Sequence, residues 1–286
     1  MSAFVQLAAL GIAQGAFLLM ASLGFSLTRR VEGFLNIAHA QYLSVAAFVT
    51  YFLNNIAQIH FAIAAFAGVV AAVIVGFVVG KLVYEPIRHL GPAVSLITSV
   101  GVVYMLDGMI EIIVGTGSFL VTLPRVAPVR VGPVTITLYQ VLVVVIAVVV
   151  TLATVRILNH TKIGTAIRIT ALDRYLGASR GVDVKKAGNA SWLLSSAIAG
   201  VAGVALAVLG ALTTHKGFDQ ILIILAVALL AGLGSVAALS ISAMTIGVAR
   251  EVSLLWLPAG FRDIIAFGIV ILVLIFLPYG ISGRVE

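Results

Sequence analysis

Cysteine is absent from the chain, which excludes a disulfide, a thiolate-held iron–sulfur cluster and a thiol nucleophile, and leaves the redox compartment without a marker. Charge is almost as scarce: 9% of the 286 residues are Asp, Glu, Lys or Arg against 62% hydrophobic, and the mean hydropathy is +1.22. No soluble domain has that composition. Enzymatic groupings are missing as well. There is no HExxH and no GxSxG, and His39, His60, His89, His160 and His215 are scattered over different segments. The run from Gly76 to Leu82 approximates a phosphate loop, but it is one residue short and Leu82 stands where a magnesium-binding hydroxyl belongs. The chain therefore offers no catalytic and no metal-ligating set, and ATP, if it drives this protein, is bound by another chain. Residues 1–10 carry no basic n-region of a cleaved signal peptide, so the first apolar segment is expected to be retained.

What the chain has instead is a series of apolar runs. About 20 helical residues cross a hydrocarbon core, and runs of that kind lie near 4–27, 37–53, 61–83, 93–114, 138–158 and 190–213. Residues 221–257 hold two shorter crossings around a break at Gly232-Leu233-Gly234-Ser235, and 263–277 holds a last one. The expected fold is all-α, a polytopic transmembrane helical bundle of about eight to ten crossings, nine by this division, forming one domain over 1–286.

The one long polar stretch, 159–189, sets Lys162, Arg168, Arg174, Arg180, Lys185 and Lys186 against only Asp173 and Asp183. Lys and Arg in short loops resist translocation, so this loop is placed on the cytoplasmic side. Arg29, Arg30, Lys81, Arg88, Arg156 and Arg284 then also fall inside, while Arg125, Arg130, Lys216 and Arg262 fall outside and Arg250 lies within a span. That asymmetry predicts an outside N-terminus and a cytoplasmic C-terminus, and explains the net charge of +7 better than nucleic-acid binding does. Within the loop, 164–177 reads as a short helix with Ile167, Ala171 and Leu172 on one side. Such a helix fits either docking into a partner or lying on the anionic lipid surface. The outer loop 115–137 contains an alternating stretch, 125–133, that reads as a small hairpin. It suits an external partner or a passive cap.

Polar side chains at membrane depth demand an explanation, because an ionisable group there costs at least ~2.5 kcal/mol. Asn36 and His39 are spaced to share a helix face, and Asn36 equally suits an N-cap. Asp107 and Glu111 lie one turn apart on a face with Thr98, Gly101 and Tyr104. Glu111 is about 6 Å along the helix from Gly115 and near outer water, whereas Asp107 is deeper, fit for lining a pore or pairing with an outer Arg. Arg250 and Glu251 point apart on a helix, so each needs its own partner. Asn36, His39, Thr98 and Ser99, with Gln41, Asp107 and Glu111, are the expected lining of an aqueous route. Gly11 and Gly15, Gly76 and Gly80, and Ser196, Gly200 and Gly203 have the spacings of close helix crossings.

Several runs resemble one family. Gly33-Phe34-Leu35-Asn36-Ile37-Ala38-His39-Ala40-Gln41 resembles G-x-x-N-x-A-H-G-E, with Ala40 for the glycine and Gln41 for the acid, and Arg29, Arg30 and Glu32 stand where the family is uncharged. Glu85-Pro86-Ile87-Arg88 and the run from Leu96 to Gly101 are similar to R-P-L-R and I-A-T-I-G. The run from Gly164 to Arg174 resembles G-x-A-x-R-A-x-A-x-D-R, and Tyr175 to Gly181 falls where E-A-A-x-x-x-G is expected, keeping only the final glycine. Runs around Gly200, Gly232, Gly247, Asp263 and Pro278-Tyr279-Gly280 follow in family order, so the likeness extends over about 11–283.

On these motifs the chain is identified as a member of the permease subunits of branched-chain amino acid ABC importers. The resemblance implies a type II-like importer permease in a bacterial inner membrane. It would be paired with a homologous permease or a copy of itself, two ATP-binding subunits that hold ATP and Mg, and a periplasmic or extracellular substrate-binding protein, with lipid around it and no nucleic acid. It also implies that Arg168, Ala171, Leu172, Asp173, Arg174, Leu176 and Gly181 belong to the segment that docks on the ATPase. Relatives carry leucine-type amino acids, other amino acids or small amides such as urea. The competing class is an ATP-independent channel or ion-coupled carrier, which would use Asp107, Glu111, Glu251 or His39 as relays.

Overall fold

The computed structural model describes residues 2–124, 126–132, 134–232, 235–276 and 280–282. Arg125, Pro133, Leu233, Gly234, Pro278, Tyr279 and Arg284, which figure in the loops and motifs above, lie outside the described residues. The apolar runs are helices: α1 (Ser2–Glu32), α2 (His39–Tyr51), α3 (Phe61–Val79), the short turn α4 (Glu85–Ile87), α5 (Pro92–Val114) and α6 (Leu138–His160). The polar stretch forms α7 (Lys162–Leu172) and α8 (Arg174–Ser179), and it is followed by α9 (Val184–Leu209), α10 (Lys216–Ala231), α11 (Val236–Val252) and α12 (Arg262–Phe276). Local chemistry sets several boundaries. Thr161, Asp173, Asp183 and Ser235 accept from the first free N–H groups of α7, α8, α9 and α11, and α5 starts with Pro92 after Gly91 at φ +94°.

Among the described residues, six helices are long and apolar enough to cross a membrane: α1, α3 with its continuation to Leu90, α5, α6, α9, and α11 with its continuation to Leu255. Three others, α2 (13 residues), α10 (16) and α12 (15), are shorter. Helices α2 and α3 each run on into a π-helical turn, Phe52–Ile56 and Gly80–Tyr84.

The chain divides into two compact units. One comprises Met1–Leu23, Leu123–Thr151 and Leu222–Glu286. In it α1 lies directly on α11: a Cβ on Gly11 would sit 2.6 Å from Val248 Cα, and Gly247 faces Gly15 just as tightly at 2.4 Å. Arg250 pairs with Asp263 (2.5 Å) and Glu251 with Arg262 (3.2 Å). The neighbouring charges of α11 thus find separate partners at the start of α12, as their opposed directions required. An antiparallel hairpin, β2 (Val129–Val131) with β3 (Val134–Ile136), turns at Gly132 (φ +61°) and is held by Gln6, which donates to Thr135 O and accepts from Thr135 N. The hairpin is centred later than the 125–133 expected from alternation, because Gly132 supplies the left-handed turn.

The second unit comprises Gly24–Thr122 and Leu152–Ile221. Its core is the triplet α2, α3 and α9. Backbones meet here because side chains are missing at the crossings: a Cβ on Gly203 would lie 2.2 Å from Leu43 O, and one on Gly76 would lie 2.0 Å from Ser196 Oγ. The spacings read from sequence are therefore contacts, and two of the sets face each other.

Candidate functional site

Buried polar groups gather at the start of α2. Asn36, His39, Gln41 and Ser99 are 0% exposed. Residues 33–38 precede α2 without being helical, and Ser99 Oγ accepts from Ile37 N (3.2 Å), so α5 satisfies an amide that α2 does not. Asn36 is no N-cap. That position is Ala38, which has no capping side chain, and Asn36 Oδ1 instead accepts from Tyr84 OH (3.0 Å). The π-helical turn that delivers Tyr84 also stacks its ring on Trp192, with centroids 5.3 Å apart. His39 is enclosed edge-on by Phe25 and Tyr42.

Further along, Gln41 Nε2 donates to Asp107 Oδ1 (3.4 Å), and Asp107 Oδ2 lies 2.5 Å from His215 Nδ1. Asp107 is 8% exposed; Glu111, one turn beyond, is half-buried. His215 sits in the connector between α9 and α10. That connector is fastened to the end of α5 by Thr214 Oγ1 donating to Gly115 O (3.1 Å) and by β1 (Ser118–Phe119) pairing with β4 (Leu212–Thr213). The hydrogen bond and charge of Asp107 raise the His215 pKa above its ordinary value. Separately, an apolar crevice of about 330 Å³, with none of the polar row in its lining, is formed by Val45, Phe48 and Val49 of α2 and by Leu106 and Ile110 of α5, among others.

Thr98 donates back to Val94 O of its own helix. Gly101 and Tyr104 are exposed, so Asp107 shares its buried face with Ser99, Val103 and Ile110 instead. The partner of Asp107 is a histidine rather than an outer Arg.

The second candidate surface is the polar stretch. The helix expected over 164–177 is broken at Asp173, whose extended backbone (φ −154°, ψ 113°) ends α7 while its carboxylate accepts from Tyr175 N and Leu176 N to start α8. Ile167 is buried among Leu27, Val31 and Ala187, with Ala171 packed alongside. Leu172 therefore does not share the Ile167 side. Leu172 (81% exposed), Tyr175 (90%) and Leu176 (55%) form an outward apolar ridge. Gly181 takes φ +79°, the left-handed position that closes a helix C-terminus. Arg168 is exposed and reaches Asn159 Oδ1 (3.4 Å). Asp173 is used as a cap, and Arg174 turns inward: its Nη2 donates to Val184 O (3.4 Å) beside the Glu32–Arg88 ion pair. Burial first, then the nearby Arg88, lowers the Arg174 pKa from its ordinary value.

Residues 7–274 match the family described as "Branched-chain amino acid transport system / permease component". The chain belongs to this permease family. Relatives include the high-affinity branched-chain amino acid transport system permease proteins LivH of Salmonella typhimurium and of Escherichia coli, each 24% identical over 96% of this chain and 94% of theirs. Another is BraD of Pseudomonas aeruginosa, 23% identical over the same shares. No solved structure gives a significant match. The permease is thus an all-α, polytopic, membrane-embedded protein.

In the permease, Gln41 bonds Asp107 directly, Ser99 accepts from Ile37 N beside Asn36, Asn36 accepts from Tyr84, and His39 is buried at the same helix start. Sequence reasoning passed over Ser44, Tyr84, Trp192 and His215. His215 carried a usable signal, a histidine beside a short loop, but its partner lies 108 residues away, beyond the reach of local spacing.

Proposed function

We propose that this chain is the path-forming membrane subunit of an ATP-binding-cassette importer that carries a branched-chain or other amino acid across a bacterial inner membrane. The observation that carries the reading is the exposed Leu172–Tyr175–Leu176 ridge on a segment rooted among Leu27, Val31, Ile167 and Ala187. A solvated loop has no use for three adjacent apolar side chains, whereas a docking helix buries them as its anchors. The family match supports the same reading. On it, α8 seats on one of two ATP-binding subunits, which hold ATP and Mg. The chain works as one type II-like permease domain, beside a homologous permease or a second copy, and receives solute from an external binding protein. Counting α2, α10 and α12 as short crossings gives nine, with the N-terminus outside and the C-terminus cytoplasmic, the orientation that the basic loops favour.

The apolar crevice between α2, α3 and α5 suits an aliphatic side chain better than a urea-like amide. A second reading, an ion-coupled carrier, draws on the Asp107–His215 pair, a proton-binding couple at the end of a span. Replacing Leu172 and Leu176 by Asp separates the two. Substrate-stimulated ATP hydrolysis by the assembled complex is expected to be abolished with membrane insertion intact, and unchanged stimulation would remove the ridge from the coupling role.

A further inference from the structure

Asp107 of α5 and the side-chain oxygens of Gln41 and Ser44 of α2 lie beside the first turn of α10, with Gln41 bonded to Asp107 and both Gln41 Oε1 and Ser44 Oγ close to Gly217. Asp107 is acceptor-only when ionised. Gln41 has turned its Nε2 to Asp107, which leaves Oε1 facing elsewhere, and neither Gln41 Oε1 nor Ser44 Oγ has a hydrogen-bond partner among the described residues, although Gln41 is 0% and Ser44 1% exposed. Both oxygens face Gly217: a Cβ there would lie 2.3 Å from Ser44 Oγ and 2.9 Å from Gln41 Oε1. Two residues before Gly217, the turn carries His215, which is paired with Asp107 and whose pKa that carboxylate raises. Buried acceptors left unmatched are costly and rare, so a cluster of them around a carboxylate marks a place where a donor belongs.

We propose that Asp107, Gln41 Oε1 and Ser44 Oγ form a subsite for the ammonium group of the transported solute, filled in this closed arrangement by the turn 215–217. An ammonium carries three N–H donors on one compact cation, which matches one carboxylate, one amide oxygen and one hydroxyl. The His215 ring, an imidazolium when protonated, occupies the carboxylate, and side-chain-free Gly217 lies over the other two acceptors. When the connector lifts, the solute's ammonium takes over the charge that His215 supplied. A neutral amide brings no such charge and would leave Asp107 buried and uncompensated, which is strongly disfavoured. The subsite deepens the importer reading and rests on it.

The chain has no thiol of its own, so Ser44→Cys places one inside the subsite. In the complete complex reconstituted in nanodiscs, that thiol is treated during ATP turnover with 2-aminoethyl methanethiosulfonate, an ammonium, and with the anionic 2-sulfonatoethyl reagent. The ammonium reagent is expected to react about tenfold faster or more, the gain of one charge-assisted contact. Adding Asp107→Asn should bring the ratio to about one, and His215→Gln should speed the ammonium reagent while keeping the ratio. Equal rates with Asp107 intact, a preference that survives Asp107→Asn, or no reaction while leucine uptake proceeds would overturn the subsite. Because Ser44→Cys can fail to assemble, leucine uptake is compared between Asp107→Glu and Asp107→Asn. The subsite requires the glutamate to retain uptake that the asparagine loses, and equal uptake overturns it. ATP-driven leucine uptake by the unaltered complex tests the importer reading separately, so failure of that reading is distinct from failure of the charge preference.

Discussion

The Glu32 side chain is 2% exposed and is ion-paired with Arg88. Arg88, beyond α4, donates twice to Oε2, while Oε1 has no hydrogen-bond partner among the described residues and lies on the side of Gly188 where Arg174 Nη2 also sits. Arg174 opens α8, so it joins the exposed ridge to the end of α1. Replacing Glu32 by Gln strands the Arg88 guanidinium and removes a carboxylate charge from the neighbourhood of Arg174. The expected loss is about 2–3 kcal/mol, below the range for fully buried pairs because Arg88 remains 28% exposed. In a double-mutant cycle, Glu32→Gln and Arg174→Gln should be non-additive. Additive losses in thermal unfolding would separate Arg174 from the carboxylate.

His215 gives the residue scale a pH signature. Asp107 first, and Glu111 and Asp219 more weakly, raise its pKa. Its stabilising contribution is therefore fully present below the ordinary imidazole pKa and is lost as pH rises through the raised value. The unfolding midpoint of the purified chain should fall across that window, and His215→Gln should flatten the slope. A midpoint that rises there would contradict the pairing. Residue-level reading succeeded where local geometry was sufficient: adjacent Arg250 and Glu251 had to find separate partners, and did. It failed for Asp107 and Asn36, whose partners, His215 and Tyr84, come from elements far away in sequence.

At the scale of elements, the crossings of α2, α3 and α9 depend on absent side chains. Gly203→Val would drive two methyl groups toward Leu43 O, where even a Cβ would be 2.2 Å away. Overpacking of this kind costs about 1–3 kcal/mol or more. Loss of folded yield is the expected outcome, and wild-type yield and unfolding midpoint would show that the crossing is looser than described. Hydrophobic length located the long helices, because crossing a bilayer demands an apolar run that nothing else in a chain requires. The break at Asp173 was not legible. A lone Asp in a run of helix formers reads as a polar face, and only the hydrogen bonds to Tyr175 and Leu176 reveal a cap. The ends of α2 were legible to within a few residues, 37–53 against His39–Tyr51, but not the bond by which Ser99 of α5 satisfies the backbone before it.

At the scale of the whole molecule, composition was enough to establish a membrane protein with little else in it, and the order of short motifs was enough for the family, now carried by residues 7–274. The number of crossings was less legible: six helices are long enough alone, and α2, α10 and α12 fall short of the usual length. The central claim is that this permease moves its solute only when ATP is hydrolysed by partner chains seated on the Leu172–Leu176 ridge. Its most direct test is leucine uptake into liposomes that hold the whole complex, with ATP supplied on the side of 162–186 and binding protein on the side of 115–137. Uptake should require both and should survive collapse of the proton and sodium gradients. Leucine accumulation by the purified chain alone, driven by an ion gradient with no ATPase present, would contradict the account and move the functional weight to Asp107, Glu111 and His215.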